Sequence, residues 1–247
     1  MALVSSDLEA DGYLVAFTER SGGSSSAPYA SLNLSLRVGD HGAVVVRNRR
    51  RVCSAFGLPA FACAEQVHGA GLSWIGPDHA DAGFLDPGAA VPGVDALFTG
   101  APEIALAIIT ADCVPVALID RRAGRLGVVH AGWRGVAGGI MSAAVGAFDD
   151  PGDVHAVLGP AICIDHYEVG EDVARAVERG AAGAVPSKRE DGRLFIDVSG
   201  AVAAALRAAG VRDVSFANEC TACEPSRFFS YRRDGITGRQ ALIAVRR

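Results

Sequence analysis

Short apolar runs, broken by turns rich in glycine, proline and aspartate, dominate the chain, and most have the length of strands. Strand-like runs fall at residues 13–18, 62–67, 96–99, 104–109, 114–119, 126–130, 154–158, 214–217 and 241–245. Helical periodicity covers residues 43–56, 136–148, 169–179 and 198–209. The runs at 104–109 and 114–119 are apolar at both alternating positions, which predicts strands buried on both faces. Residues 95–135 read as three strands, a tight turn at Asp120-Arg-Arg-Ala-Gly124, a fourth strand and a helix whose start, Gly132-Trp-Arg-Gly135, is glycine-rich. Asp197 and Ser199 are candidate caps for the helix at 198–209. Helices spread along the chain with antiparallel hairpins between them predict an α+β fold. The expected form is a mixed α/β sandwich in a single domain, residues 1–247, with mixed and antiparallel sheets covered by helices rather than a doubly wound parallel sheet.

Composition narrows the function classes. Half of the 247 residues are hydrophobic and 21% are charged, enough for a substantial core. No internal repeat is visible, and the low-complexity patch Ser21-Gly-Gly-Ser-Ser-Ser-Ala-Pro28 reads as a mobile surface loop. A net charge of −5 counts against nucleic acid or an anionic membrane surface as partner. Lys188 is the single lysine among 23 basic residues, so an anion site here must rely on arginine forks. Asp7, Glu9, Asp11 and Glu19 interrupt the first twenty residues, which lack the apolar stretch of a secretory signal. The longest apolar run, 104–109, is far short of the roughly 20 residues that span a bilayer. Six cysteines without a regular framework read as reduced thiols in a soluble cytoplasmic protein, a monomer or homodimer.

Common nucleotide and hydrolase signatures are absent: no phosphate-binding G-x-x-x-x-G-K-[ST], no G-x-G-x-x-G, no G-x-S-x-G, no H-E-x-x-H. Three polar side chains instead stand where strands end or turn. They are His68 in Gln66-Val-His-Gly69, Cys113 in Thr110-Ala-Asp-Cys113 and His130 in Val129-His-Ala-Gly-Trp-Arg-Gly135. Two imidazoles and a thiolate suit zinc with a fourth position open, the arrangement of a catalytic site. Taken singly each has a blander explanation, since a buried cysteine packs as a small hydrophobe and a lone histidine is usually a satisfied polar group. The same residues also serve a metal-free scheme in which Cys113 is a nucleophile and His130 its base. His166-Tyr-Glu168 with Cys220-Thr-Ala-Cys223 imitates a zinc deaminase signature, but Glu219 replaces its proline and a second C-x-x-C is lacking. The blander reading of Cys220 and Cys223 is two nearby core or loop cysteines.

The segments around these residues resemble the multicopper polyphenol oxidase, or laccase-domain, family, whose members are also described as zinc-dependent purine nucleoside phosphorylases. The likeness runs from Thr18-Glu-Arg-Ser-Gly-Gly23, Tyr29-Ala-Ser-Leu-Asn-Leu34 and Val38-Gly-Asp40 through the three segments above and Val94-Asp-Ala-Leu-Phe-Thr99. It continues in Gly159-Pro-Ala-Ile162, Tyr167-Glu-Val-Gly170, Cys220-Thr221, Phe228-Phe-Ser-Tyr-Arg-Arg-Asp234 and Thr237-Gly-Arg239.

That resemblance implies metal ligation by His68, Cys113 and His130, with zinc as the cofactor and copper as a substitute. It implies phosphorolysis of adenosine, inosine and S-methyl-5'-thioadenosine, and adenosine deamination; the partners are then a purine nucleoside and phosphate. An amidase acting on cell-wall precursors is a further activity raised by the family. A polyphenol oxidase is harder to support, because the chain has six histidines and two of them, His41 and His79, fall in expected surface loops. Expected substrate or phosphate contacts are Arg20, Asn33, Arg134, Arg232 and Arg233, with Arg239 a further anion-binding candidate and Asp112 orienting a neighbouring ligand. Asp95 and Glu65 read as strand-end acids bonded to backbone, outside the catalytic set. Trp133, Phe228 and Phe229 read as packing plugs more readily than as purine-stacking rings.

Overall fold

The computed structural model describes residues 2–4, 11–183 and 185–247; Asp7 and Glu9 lie outside the described residues. The chain opens with β1 (Ala2–Val4), β2 (Tyr13–Thr18), helix α1 (Gly42–Phe56), β3 (Ala62–Cys63), β4 (Leu72–Trp74) and β5 (Ala96–Thr99). Then come β6 (Leu106–Thr110), β7 (Val114–Asp120), β8 (Arg125–Ala131), α2 (Trp133–Ala137), α3 (Ile140–Val145) and β9 (Val154–Leu158). The last third holds β10 (Glu168–Val169), α4 (Glu171–Gly180), β11 (Ser187–Glu190), β12 (Arg193–Ile196), α5 (Val198–Ala208), β13 (Asp213–Phe216), α6 (Tyr231–Asp234) and β14 (Gln240–Arg246).

Three sheets result, in the orders β1-β2-β14-β6-β3, β13-β9-β7-β8-β5-β4 and β10-β12-β11. Their stacking follows from side-chain alternation. Val15, Phe17, Leu106, Ile108 and Leu242 of the first sheet meet Leu97, Ala117, Ile119 and Val128 of the second in one apolar layer. The opposite faces pack outward. Leu14, Ala16, Ala107 and Ile243 bury Val52 and Cys53 of α1, while Val116, Leu118 and Val129 bury Val136, Ile140, Met141, Val202 and Leu206 of α2, α3 and α5. The fold is therefore a mixed α/β sandwich of helix, sheet, sheet and helix layers, as the two-faced strands predict. All seven residues of β7 are buried. Asp197 caps α5, its carboxylate accepting from the Gly200 amide at 2.9 Å.

Three local expectations need correction, and one hairpin was not foreseen. The helix expected over 136–148 is two short helices, because Gly138-Gly139 breaks it and Gly139 sits at φ 80°, in the left-handed region. The strand expected over 62–67 ends at Cys63, because the chain turns off the sheet through left-handed residues Gln66 and His68. The serine-glycine patch is tied down rather than loose. Ser25 is buried, and the Asn48 amide of α1 bonds to the Ser24 amide, the Ser25 hydroxyl and the carbonyls of Ser31 and Asn33. The β11–β12 hairpin carried no expectation, because Ser187-Lys-Arg-Glu190 is polar on both faces.

Candidate functional site

Strand register brings Cys113 and His130 together. In the β7–β8 hairpin Val114 pairs with Ala131 and Pro115 with His130, so Cys113, one residue before β7, stands beside Gly132, one residue after β8. The turn delivering Cys113 is held by the Thr110 hydroxyl, which donates to the Cys113 carbonyl at 2.7 Å. His68 arrives from the other sheet. After β3 the Gln66 side chain stands in for a neighbouring strand, donating to the Ile109 carbonyl at 2.7 Å and accepting from the Ile109 amide at 2.9 Å. Gln66 and His68 both adopt φ 61° and Asp112 adopts φ 87°. Non-glycine residues reach that region at a cost of order 1–3 kcal/mol, which the surrounding bonds must offset. Gly132 permits the approach: a Cβ there would lie 3.0 Å from both Cys113 Sγ and His68 Cδ2. One ligand atom each from His68, Cys113 and His130 then falls within 4.8 Å of the others.

A carboxylate outside the expected set orders this cluster. Asp95 Oδ1 lies 2.8 Å from His130 Nδ1 and accepts from the His68 amide at 2.9 Å, while Oδ2 accepts from the Val67 and Gly69 amides at 3.1 and 2.8 Å. Asp95 is fully buried. Burial alone would raise its pKa, but the bonds from His130 and the Gly69 amide outweigh it and hold the group ionised. Burial likewise disfavours a charged Cys113, yet the charge and hydrogen bond of His130, with His68, pull its thiol down to about 6. Burial opposes protonation of His130, and Cys113 and Asp95 overcome it, raising its pKa to about 9. Cys113 is thus drawn toward the thiolate and His130 toward the imidazolium, each stabilising the other. Asp95 looked like a backbone-bonding acid, and it is one; its second task was hidden because His130 lies 35 positions away.

The trio lies on a cleft of about 480 Å³, within the usual range for small-molecule sites. Trp133, Arg134, Tyr167, Arg232 and Arg239 also line it. Arg134 lies 4.5 Å over the Trp133 ring, and among the described residues no carbonyl or carboxylate accepts from it. Arg232 spans the carbonyls of His166 and Glu168 and lies 5.0 Å over Tyr167; its amide donates to Asp112 Oδ2 at 2.7 Å. Asp112 Oδ1 accepts from Thr221 Oγ1 at 2.6 Å, so this buried acid pins the Cys113 turn to the Thr221 loop and to the start of α6. Arg239 is occupied by the carbonyls of Thr237 and Gly238.

Arg20, Asn33 and Arg233 do not line this cleft. Arg20 clasps the carbonyls of Ala30 and Pro225 over the Phe229 ring. Fully buried Asn33 bridges Ser35, Asp40 and the Arg239 amide. Arg233 fastens the carbonyls of Thr221, Ala222 and Phe228 and pairs with Asp234. All three spend their hydrogen bonds on holding the loops behind the cleft. Phe228 and Phe229 are fully buried plugs, whereas Trp133 reaches the cleft. His41 and His79 are exposed and stand apart from the His68, Cys113 and His130 set.

Comparison with known proteins identifies relatives of the whole chain. A purine nucleoside phosphorylase of Streptomyces griseus is 44% identical over 92% of this chain and 91% of its own length. One from Deinococcus radiodurans is 42% identical over 94% and 89%. The crystal structure of YlmD from Geobacillus stearothermophilus superposes with a TM-score of 0.92 at 38% identity, covering 96% of this chain and 92% of that one. The family model for multi-copper polyphenol oxidoreductase laccase matches residues 14–247. On that match, these identities and the shared fold, the chain belongs to the multi-copper polyphenol oxidoreductase laccase family.

Proposed function

We propose that this protein is a zinc-dependent purine nucleoside phosphorylase acting on adenosine, inosine and S-methyl-5'-thioadenosine, with adenosine deamination as a second outcome at the same site. The observation that carries the reading is the convergence of His68, Cys113 and His130 on a nucleoside-sized cleft. The relatives named purine nucleoside phosphorylase support it.

The donor set fits the metal. Three ligand atoms from three separate segments would leave room for a guest, and Asp95 holds the Nδ1 side of His130, leaving Nε2 as the nitrogen that would hold an ion. Zinc held there supplies Lewis acidity toward an oxygen of the substrate or of phosphate. Copper suits the same imidazole and thiolate donors, but four-electron oxygen reduction needs more metal-binding histidines than this cleft offers.

The remaining work belongs to the chain. Phosphorolysis forms a bond from a phosphate oxygen to ribose C1′ as the C1′–N9 bond to the purine breaks. Arg134 supplies a guanidinium fork to orient the phosphate, and Arg232 adds positive charge at the same wall. Trp133 and Tyr167 offer ring faces to the base. Burial pushes the Tyr167 phenol up, so it stays protonated and available as a donor.

A second reading, a metal-free cysteine hydrolase, draws on the chain Asp95–His130–Cys113, which matches an orienter, a base and a nucleophile. Against it, His68 also stands close to the Cys113 sulfur, a second imidazole that such a triad does not require and a three-donor metal site does. The deciding experiment incubates purified protein with adenosine, with and without phosphate. Phosphate-dependent adenine and ribose 1-phosphate support phosphorolysis, and inosine without phosphate identifies deamination. Turnover of neither kind contradicts the proposal.

A further inference from the structure

A second group of metal-ligating side chains stands apart from the His68, Cys113 and His130 set. It gathers Cys163 and His166, from the loop before β10, with Cys220 and Cys223, from the loop after β13. Both halves have the spacing of two residues between ligands that structural zinc sites use, and the first half is Cys-x-x-His. Cys163 Sγ lies 3.4 Å from His166 Nδ1 and 3.9 Å from Cys223 Sγ, and Cys223 Sγ lies 3.6 Å from His166 Nδ1. All four donor atoms fall within 4.8 Å of one another.

These three separations match edges of a coordination tetrahedron. With Zn–S near 2.3 Å and Zn–N near 2.05 Å, neighbouring donors stand about 3.8 Å apart for two sulfurs and about 3.5 Å for sulfur and nitrogen. The backbone adds a second observation. Cys220 Sγ accepts from the amides of Cys163 and Cys223, at 3.3 and 3.4 Å. A neutral thiol is a weak acceptor, and two amides aimed at one sulfur suit a thiolate ligand.

We propose that Cys163, His166, Cys220 and Cys223 form a second, structural zinc site of Cys3His type. Four protein ligands close the coordination sphere, so this ion has no open position and takes no part in chemistry. It staples two loops whose other bonds support the cleft. Ile162 donates to the Asp112 carbonyl, Thr221 to the Asp112 carboxylate, and the His166 carbonyl receives Arg232. The expected two nearby cysteines are thus half of a ligand set whose other half lies 54 or more positions earlier.

The test separates the two sites. Cys113→Ser protein, stripped and reloaded with cobalt(II), is expected to show the intense absorption of a tetrahedral cobalt–thiolate centre, and Cys163→Ser/Cys223→Ser added to that background abolishes it. Wild-type protein needs no variant: with zinc bound, exposed Cys223 resists alkylation, and a chelator releases it. No cobalt–thiolate band in Cys113→Ser protein, free-thiol reactivity of Cys223 at full zinc loading, or a Cys163–Cys223 disulfide in natively purified protein each overturns the proposal.

Discussion

Asp95 and His130 share a hydrogen bond of 2.8 Å away from the surface, and the same carboxylate takes the amides of Val67, His68 and Gly69. One buried acid therefore fixes both the ring of one candidate ligand and the backbone of another. Asp95→Asn keeps the shape but turns one acceptor into a donor that faces donors. Zinc affinity is expected to fall roughly 10–100-fold, as for other partners of ligating histidines. Stability should drop by about 1–3 kcal/mol. Metal titration followed by thermal unfolding checks both, and unchanged zinc affinity would remove Asp95 from the site.

Cys113 should be the most reactive thiol of the metal-free protein near neutral pH. Its pKa of about 6 means the thiolate forms as pH rises through 6, whereas burial pushes the Cys53 thiol up to about 11. Iodoacetamide labelling read at the Cys113 peptide should show a midpoint near 6, and zinc should suppress it. A midpoint near 9, the ordinary thiol value, would mean that His130 and His68 do not face the sulfur.

Gly132 has a steric role that can be isolated. Gly132→Ala places a methyl 3.0 Å from Cys113 Sγ and His68 Cδ2, so the ligands must spread. Metal binding and turnover should fall by more than about tenfold, with a stability cost of about 1–3 kcal/mol. Gly76→Ala, where nothing lies within 4 Å of the new methyl, is the control and should change neither.

The arginines divide by where their donors go. Arg134→Gln should raise the KM for phosphate roughly ten- to a hundredfold, the worth of one charged hydrogen bond or two, while leaving zinc content intact. Arg20→Gln should instead lower the unfolding temperature, because Arg20 ties Ala30 to Pro225 behind the cleft. Steady-state kinetics against phosphate, beside thermal melts, tell the two roles apart. The reverse pattern would place the anion at Arg20.

The frame was legible because its signals are local. Strands such as β7 and β9 announce themselves by apolar runs of strand length between turns, and Asp197 before α5 is a cap at any reading. His68, Cys113 and His130 stood out as polar groups at strand ends. The rest depended on tertiary geometry. Nothing in Gln66-Val-His-Gly69 reveals two left-handed residues, since neither carries the glycine that usually marks them. Asp95 resembles any acid before a strand until His130 folds against it. Twenty-two arginines look alike until the carbonyls of Ala30, Thr221 and Phe228 claim some of them. Cys163 gave no signal, and His166 stood beside Cys220 and Cys223 only as the imitation of a deaminase signature, because the two halves come from distant loops.

The most direct measurement follows phosphate-dependent adenine release by chelator-treated protein as zinc is returned, in wild type and in Cys113→Ser. Wild type should regain activity as zinc refills the His68, Cys113 and His130 site, and the variant should stay at background. A variant that turns over adenosine at the wild-type rate, or a wild type indifferent to the chelator, would contradict the account.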